Sequence, residues 1–235
     1  MPHSRYRPPD DLLIDAEPQE PPTPGRGREA LWLLLALVLV AINLRPALSS
    51  LAPVLRQAQQ DTGMGNTSAG LLTTLPVLCL GLFAPLAPRL AARFGTERVV
   101  FWVVLLLAAG ILARGLAGTA GLFAGSLVGG ASIGIIGVLL PGIVKREFPG
   151  QADIMTGVYT MALCFGAALA AGATVPLAGT LGGWAPALSF WALPALVAAV
   201  AWRPQLRRAH AHPLPARGER SLLTDRLAWQ VTLYM

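Results

Sequence analysis

Six long apolar runs follow one another along the chain, at about 31–55, 68–88, 99–117, 120–144, 153–178 and 184–202. Each supplies the roughly 20 residues an α-helix needs to cross a bilayer core. Inside hydrocarbon every backbone N–H and C=O must find its partner within the protein, which leaves only helices and closed barrels. A barrel alternates apolar and polar residues in segments of about ten, whereas these runs are continuous. The gaps are short, the third being only Gly118 and Thr119, so consecutive helices are antiparallel neighbours. The expected fold is all-α and integral to a membrane, a six-transmembrane-helix bundle over residues 31–202.

Composition excludes the alternatives. Charged residues make up 13% of the chain and hydrophobic residues 54%, against about 25% charged in a soluble domain. A soluble enzyme, a disordered protein and a disulfide scaffold are all ruled out. Residues 1–30 stand apart, with seven prolines and six acids, and read as a disordered cytoplasmic tail rather than a secretory signal. Beyond Trp202, residues 203–226 read as a basic cytoplasmic linker. Residues 227–235 open a seventh apolar run that nine residues cannot complete, so the chain reads as truncated. Cys79 and Cys164 lie inside apolar runs without a C-x-x-C or ligand neighbour. They read as small packing residues, and no metal or cofactor is expected.

The net charge of +6 is a topology signal. Fifteen of the 18 basic residues fall in the tail, the second and fourth gaps and the stretch after the sixth run. Arg56 and Arg114 are assigned to the other side, and Arg45 lies within the first span. This asymmetry puts the N-terminus in the cytoplasm, at the inner face of the membrane. The basic residues lack interleaved aromatics, so their expected partners are lipid headgroups and not nucleic acid.

Arg45 is the sharpest candidate for chemistry. It sits deep in the first run, in Asn43-Leu44-Arg45-Pro46-Ala47-Leu48, where an Arg costs at least roughly 2.5–3.5 kcal/mol to insert. It should face a bundle interior or a watery cavity and dock an anionic or strongly polar solute. The alternatives are snorkelling to an interface or bonding carbonyls that Pro46 frees. Asn43 is a second candidate liner, about 200° from Arg45 on an ideal helix, so the two share a face only if the proline distorts the turn. Tyr159 is a third. Thr73, Thr74 and Thr160 either line a cavity or bond their own helix. None of the 12 acids is mid-span, and the three His lie in the tails. With no acid–base pair, nucleophile motif or phosphate-binding loop, the chain is not expected to be an enzyme.

Small residues recur at every fourth position in the fourth run (Gly121, Gly125 and Gly129; Ser126, Gly130 and Gly134) and in the fifth (Ala162, Gly166 and Ala170). Such spacing lets helix backbones approach closely, so Gly125, Gly129, Gly130, Gly134 and Gly166 read as packing residues. Pro46 and Pro141 occupy similar depths in the first and fourth runs, as in two inverted three-helix repeats.

Several stretches carry a family resemblance: Asn43–Leu48, Ala69–Leu78, Leu139–Pro149 and Met155–Thr160. Together they resemble the cyanate and nitroimidazole transporter family within the major facilitator superfamily, over about residues 31–235. The superfamily loop motif G-x-x-x-D-R-x-G-R-R is degenerate here. Arg93 and Gly95 keep their places, Ala92 replaces the acid, and Gly137 stands where the family tends to carry Asn. The resemblance implies the N-terminal half of a twelve-span secondary transporter that moves a small anionic or polar solute by alternating access. The rival reading is a non-transporting six-span module, or a half-transporter that must dimerise.

Overall fold

The computed structural model describes residues 24–116 and 118–210. Among them there are helices and no strands. The order is α1 (Pro24–Leu44), α2 (Pro46–Ser49), α3 (Leu51–Thr62), α4 (Asn66–Phe83), α5 (Leu86–Phe94), α6 (Thr96–Leu116), α7 (Gly118–Glu147), α8 (Ala152–Leu181), α9 (Trp184–Phe190) and α10 (Ala192–Trp202), then a 3₁₀ turn over Arg203–His210. Six stretches are long and apolar enough to cross a membrane: Glu29–Thr62, Asn66–Phe83, Thr96–Leu116, Gly118–Glu147, Ala152–Leu181 and Trp184–Arg207.

Three boundaries differ from the hydropathy reading. The helical course begins at Pro24, inside the segment expected to be a tail. A helix ends where its hydrogen bonds end, and Pro suits the first turn, whose N–H groups go unpaired anyway. The first span runs on to Thr62, where Gly63 closes it with φ +68°. The second stops at Phe83, and the basic stretch after it is the separate helix α5 rather than a loop. The 3₁₀ turn covers the start of the expected linker. The rest of the tail, the rest of the linker and the expected seventh helix lie outside the described residues.

The spans pair in a regular way. The first packs on the fifth and sixth, and the fourth packs on the second and third. The third and sixth meet, and so do the first and fourth. Exchanging one with four, two with five and three with six maps these pairs onto one another, as two three-helix repeats require, although the fifth span also meets the sixth more extensively than the second meets the third. Each repeat has an odd number of spans, so the second is inverted relative to the first. Burial obeys the same exchange: spans two and five are the least enclosed, each 22% buried against 67% for span four. On α4 only Ala69, Leu72, Pro76 and Cys79 turn inward. On α8 a stripe of Ala162, Gly166, Ala170, Thr174 and Ala178 does so. The other sides of these helices expose Val77, Leu78, Leu82, Met161 and Phe165, as a helix can where its solvent is lipid.

Three tryptophans of the sixth span each bind a different neighbour. Trp184 Nε1–H donates to Asp61 Oδ2 (2.8 Å), Trp191 Nε1–H to Thr174 Oγ1 (3.0 Å) and Trp202 Nε1–H to the Glu97 carbonyl (3.0 Å). A buried indole needs such a partner, and the spacing pins this span at both ends and in the middle.

Candidate functional site

Pro46 has no N–H to offer the carbonyl of Ile42, so the first span loses a helical hydrogen bond just below mid-course. Arg45 and Ser50 mark the resulting breaks, yet both keep right-handed helical angles (φ −81°, ψ −32° and φ −71°, ψ −24°). The chain tightens instead of turning away: Leu48 and Ser49 N–H both donate to the Arg45 carbonyl, each at 2.9 Å. The Ile42 carbonyl faces Gly166 of α8 so closely that a Cβ there would collide with it.

Because the angles stay helical, Arg45 and Asn43 do not share a face. Arg45 is exposed on the six-span unit, whereas Asn43 is 2% exposed. The Asn43 amide donates to the Leu39 carbonyl at 2.7 Å, and its Oδ1 has no partner among the described residues. Tyr159 is half-buried on α8 against the main core. It lies seven residues before Gly166, while Arg45 lies three beyond Ile42 on the parallel first span. At 1.5 Å per residue the two are about 15 Å apart along the axis. The structure therefore does not bring the three proposed liners into one cluster.

What does gather around the break is small and backbone-rich. Ala47 Cβ is 3.7 Å from the Cβ that Gly129 lacks, and Gly130 lies against the backbone of Pro76. Adjacent glycines of α7 are thus wedged between two proline-bearing helices. Gly134 abuts Leu80 in the same way one turn on, and Gly125 makes room for the stem of Arg114. Thr73 and Thr74 are exposed near Pro76, and Thr160 is exposed near Tyr159. Their hydroxyls donate to Gly70 (2.8 and 3.1 Å) and Thr156 (2.8 Å), which leaves lone pairs but no O–H for a solute.

Arg114, which the charge asymmetry assigns to the outer side, is not free in a loop there: it is 2% exposed, enclosed in the bundle near the end of the third span. Its Nε–H and Nη2–H donate to Ser126 Oγ (3.1 and 2.9 Å), and Nη1–H donates to the Ala47 carbonyl. The physical reason is the third gap. Only Gly118 and Thr119 separate the two runs, and a charge one helical turn from so tight a turn has no loop to occupy. That gap length, with Ser126 twelve residues on, was the available signal.

At the far end of the bundle, Gly95 takes φ +86°, ψ 140° between α5 and α6, where a side chain would be strained. Arg93 is exposed, its guanidinium 5.4 Å above the Phe94 ring. The acid missing at Ala92 is matched by another two residues past Gly95: Glu97, on α6, pairs with Arg146 at the end of α7. Arg146 also holds Glu147 at 2.9 Å.

Comparison with known proteins adds the following. The profile of the Major Facilitator Superfamily matches residues 30–235. YycB, an uncharacterized transporter of Bacillus subtilis, is 39% identical over 209 residues, covering 88% of this chain and 52% of that protein. The 2-nitroimidazole transporter of Escherichia coli is 38% identical over 212 residues, covering 89% and 54%. The cyanate transport protein CynX of Escherichia coli is 38% identical over 205 residues, covering 86% and 53%. The chain thus spans about half the length of these relatives. Among solved structures, a peptide transporter POT in complex with sulfate superposes with a TM-score of 0.66 at 19% identity, over 86% of this chain and 44% of that one. That likeness shows the fold alone.

Proposed function

Since the chain belongs to the Major Facilitator Superfamily, we propose that it forms one six-span wall of a transport pathway for a small anionic or polar solute. The observation that carries this reading is Arg45, an exposed guanidinium at a proline break deep in a span. A charge so placed is costly unless water or a counter-ion meets it. No acid lies mid-span to do so, and a solute anion or dipole would. The names of two relatives fit this chemistry: cyanate is a small anion, and 2-nitroimidazole is a compact polar ring.

The proposal extends to mechanism and topology. A second six-span half would close the pathway opposite Arg45, and the halves would rock in alternating access. The N-terminus would be cytoplasmic, with the Glu97–Arg146 end of the bundle on the same side. Asn43 and Tyr159 would act at a distance from the Arg45 contact, through helix packing or at another stage of the solute's passage.

The test is Arg45→Gln and Arg45→Lys in the full-length protein, with uptake of radiolabelled cyanate and 2-nitroimidazole measured in membrane vesicles. Replacing a guanidinium that binds solute should cost about tenfold or more in uptake, at unchanged abundance in the membrane. Wild-type uptake by Arg45→Gln would remove the docking role.

A further inference from the structure

Among the described residues Arg114 is the only charged side chain in the buried interior, and it makes no ion pair with any of them. A guanidinium without a carboxylate is an expensive way to fill space. What it provides that an apolar side chain would not is a rigid fork. Two of its N–H groups grip one oxygen, Ser126 Oγ on the fourth span, and a third grips the Ala47 carbonyl on the first.

Ala47 is a special place to hold. It belongs to α2, four residues long, flanked by Pro46 and Pro53. The two prolines leave the carbonyls of Ile42 and Ser49 without their helical donors. The segment is therefore held weakly by its own helix and depends on its neighbours. Three of them touch this stretch: Gly166 at the Ile42 carbonyl, Gly129 at the Ala47 methyl, and Arg114 at the Ala47 carbonyl. Only the last is a directional, charged contact. The room for it is made by Gly125, where a Cβ would come within 2.7 Å of Arg114 Cγ. Arg45 adjoins this segment directly.

We infer that Arg114 is a positioning residue: by clamping the Ala47 carbonyl to Ser126 it fixes the proline-broken segment of the first span, and so the depth and direction of Arg45. It touches no solute itself. The functional consequence rests on the reading of Arg45 as the solute contact, whereas the clamp does not.

The experiment separates the two. In the full-length protein with every native cysteine replaced by serine, Cys79 and Cys164 included, a single thiol is placed by Arg45→Cys, or by Thr67→Cys in the exposed first turn of α4, between the first two spans, as a control. Labelling by a membrane-impermeant, negatively charged thiol reagent is timed in vesicles, with and without Arg114→Lys, Arg114→Gln or Ser126→Ala. The expected result is a change of about threefold or more in rate at position 45 with either Arg114 variant, smaller and in the same direction with Ser126→Ala, and no change at position 67. In parallel, with Arg45 intact, the KM for cyanate or 2-nitroimidazole uptake should rise about tenfold while Vmax and membrane abundance hold. Arg114→Lys should fail nearly as badly as Arg114→Gln, because it keeps the charge and loses the fork. An unchanged rate at position 45, or an equal change at 67, overturns the clamp. Should the Arg114 variants not reach the membrane, Ser126→Ala decides alone by the same criterion. A shifted rate with unchanged KM upholds the clamp and overturns instead the solute role of Arg45.

Discussion

Single glycines show how closely the residue scale is specified. Gly166 and Gly137 are both helical, yet a Cβ at Gly166 would strike the Ile42 backbone whereas one at Gly137 would meet nothing within 4 Å. Gly166→Ala should therefore destabilise the purified protein by about 1–3 kcal/mol through overpacking. Gly137→Ala should be neutral, or stabilise by up to about 1 kcal/mol, through helix propensity. Thermal unfolding in detergent distinguishes them, and equal shifts in the same direction would refute the packing account. Spacing alone selects Gly166, Gly130 and Gly134 as candidates for close contact. It does not tell Gly129, in ordinary contact with Ala47, from Gly130, pressed on the Pro76 backbone. That difference depends on the rotation of α7 between two partners.

Elements show a second kind of limit. The six spans were legible because a bilayer demands about 20 apolar residues from each. The helix α5 was not, because Pro85, Pro88 and two arginines argue for a loop, and they outweighed Ala87 and Ala91, which recur at helical spacing and are buried. The same end of the bundle carries the Glu97–Arg146 pair, whose members are 49 positions apart and join α6 to α7. Its side chains are 13% and 34% exposed, so solvent screens it partly and its worth is about 1 kcal/mol or less. Glu97→Arg and Arg146→Glu should each lower the unfolding temperature, and the double reversal should recover most of the loss. A double-mutant cycle measures this coupling, and strictly additive effects would show that the pair contributes nothing.

For the whole molecule, topology is the property to test. If the N-terminus is cytoplasmic, a reporter fused after Gly182 lies outside and one after Gly150 lies inside. Alkaline phosphatase and green fluorescent protein fusions should give opposite signals at the two positions. The reverse pattern would overturn the orientation and move the Glu97–Arg146 end to the outer face. The lateral arrangement, by contrast, comes from packing: third span against sixth, first against fifth, fourth against second.

Apolar run length and basic-residue asymmetry are sums over many residues, and a bilayer reads them one span at a time. They were enough for the helical class, the number of spans, the expected sidedness and a conspicuous Arg at Pro46. Which charge is enclosed is a property of two or three helices at once. Hydropathy singles out Arg45 as the deep charge, but its rotation about the first span leaves it exposed. Arg114, near the end of its run, is enclosed because Gly125 makes room for its stem and Ser126 and Ala47 present oxygens to its fork. A guanidinium is paired by atoms, not by average hydropathy, and those atoms come from spans that only the assembled bundle brings together.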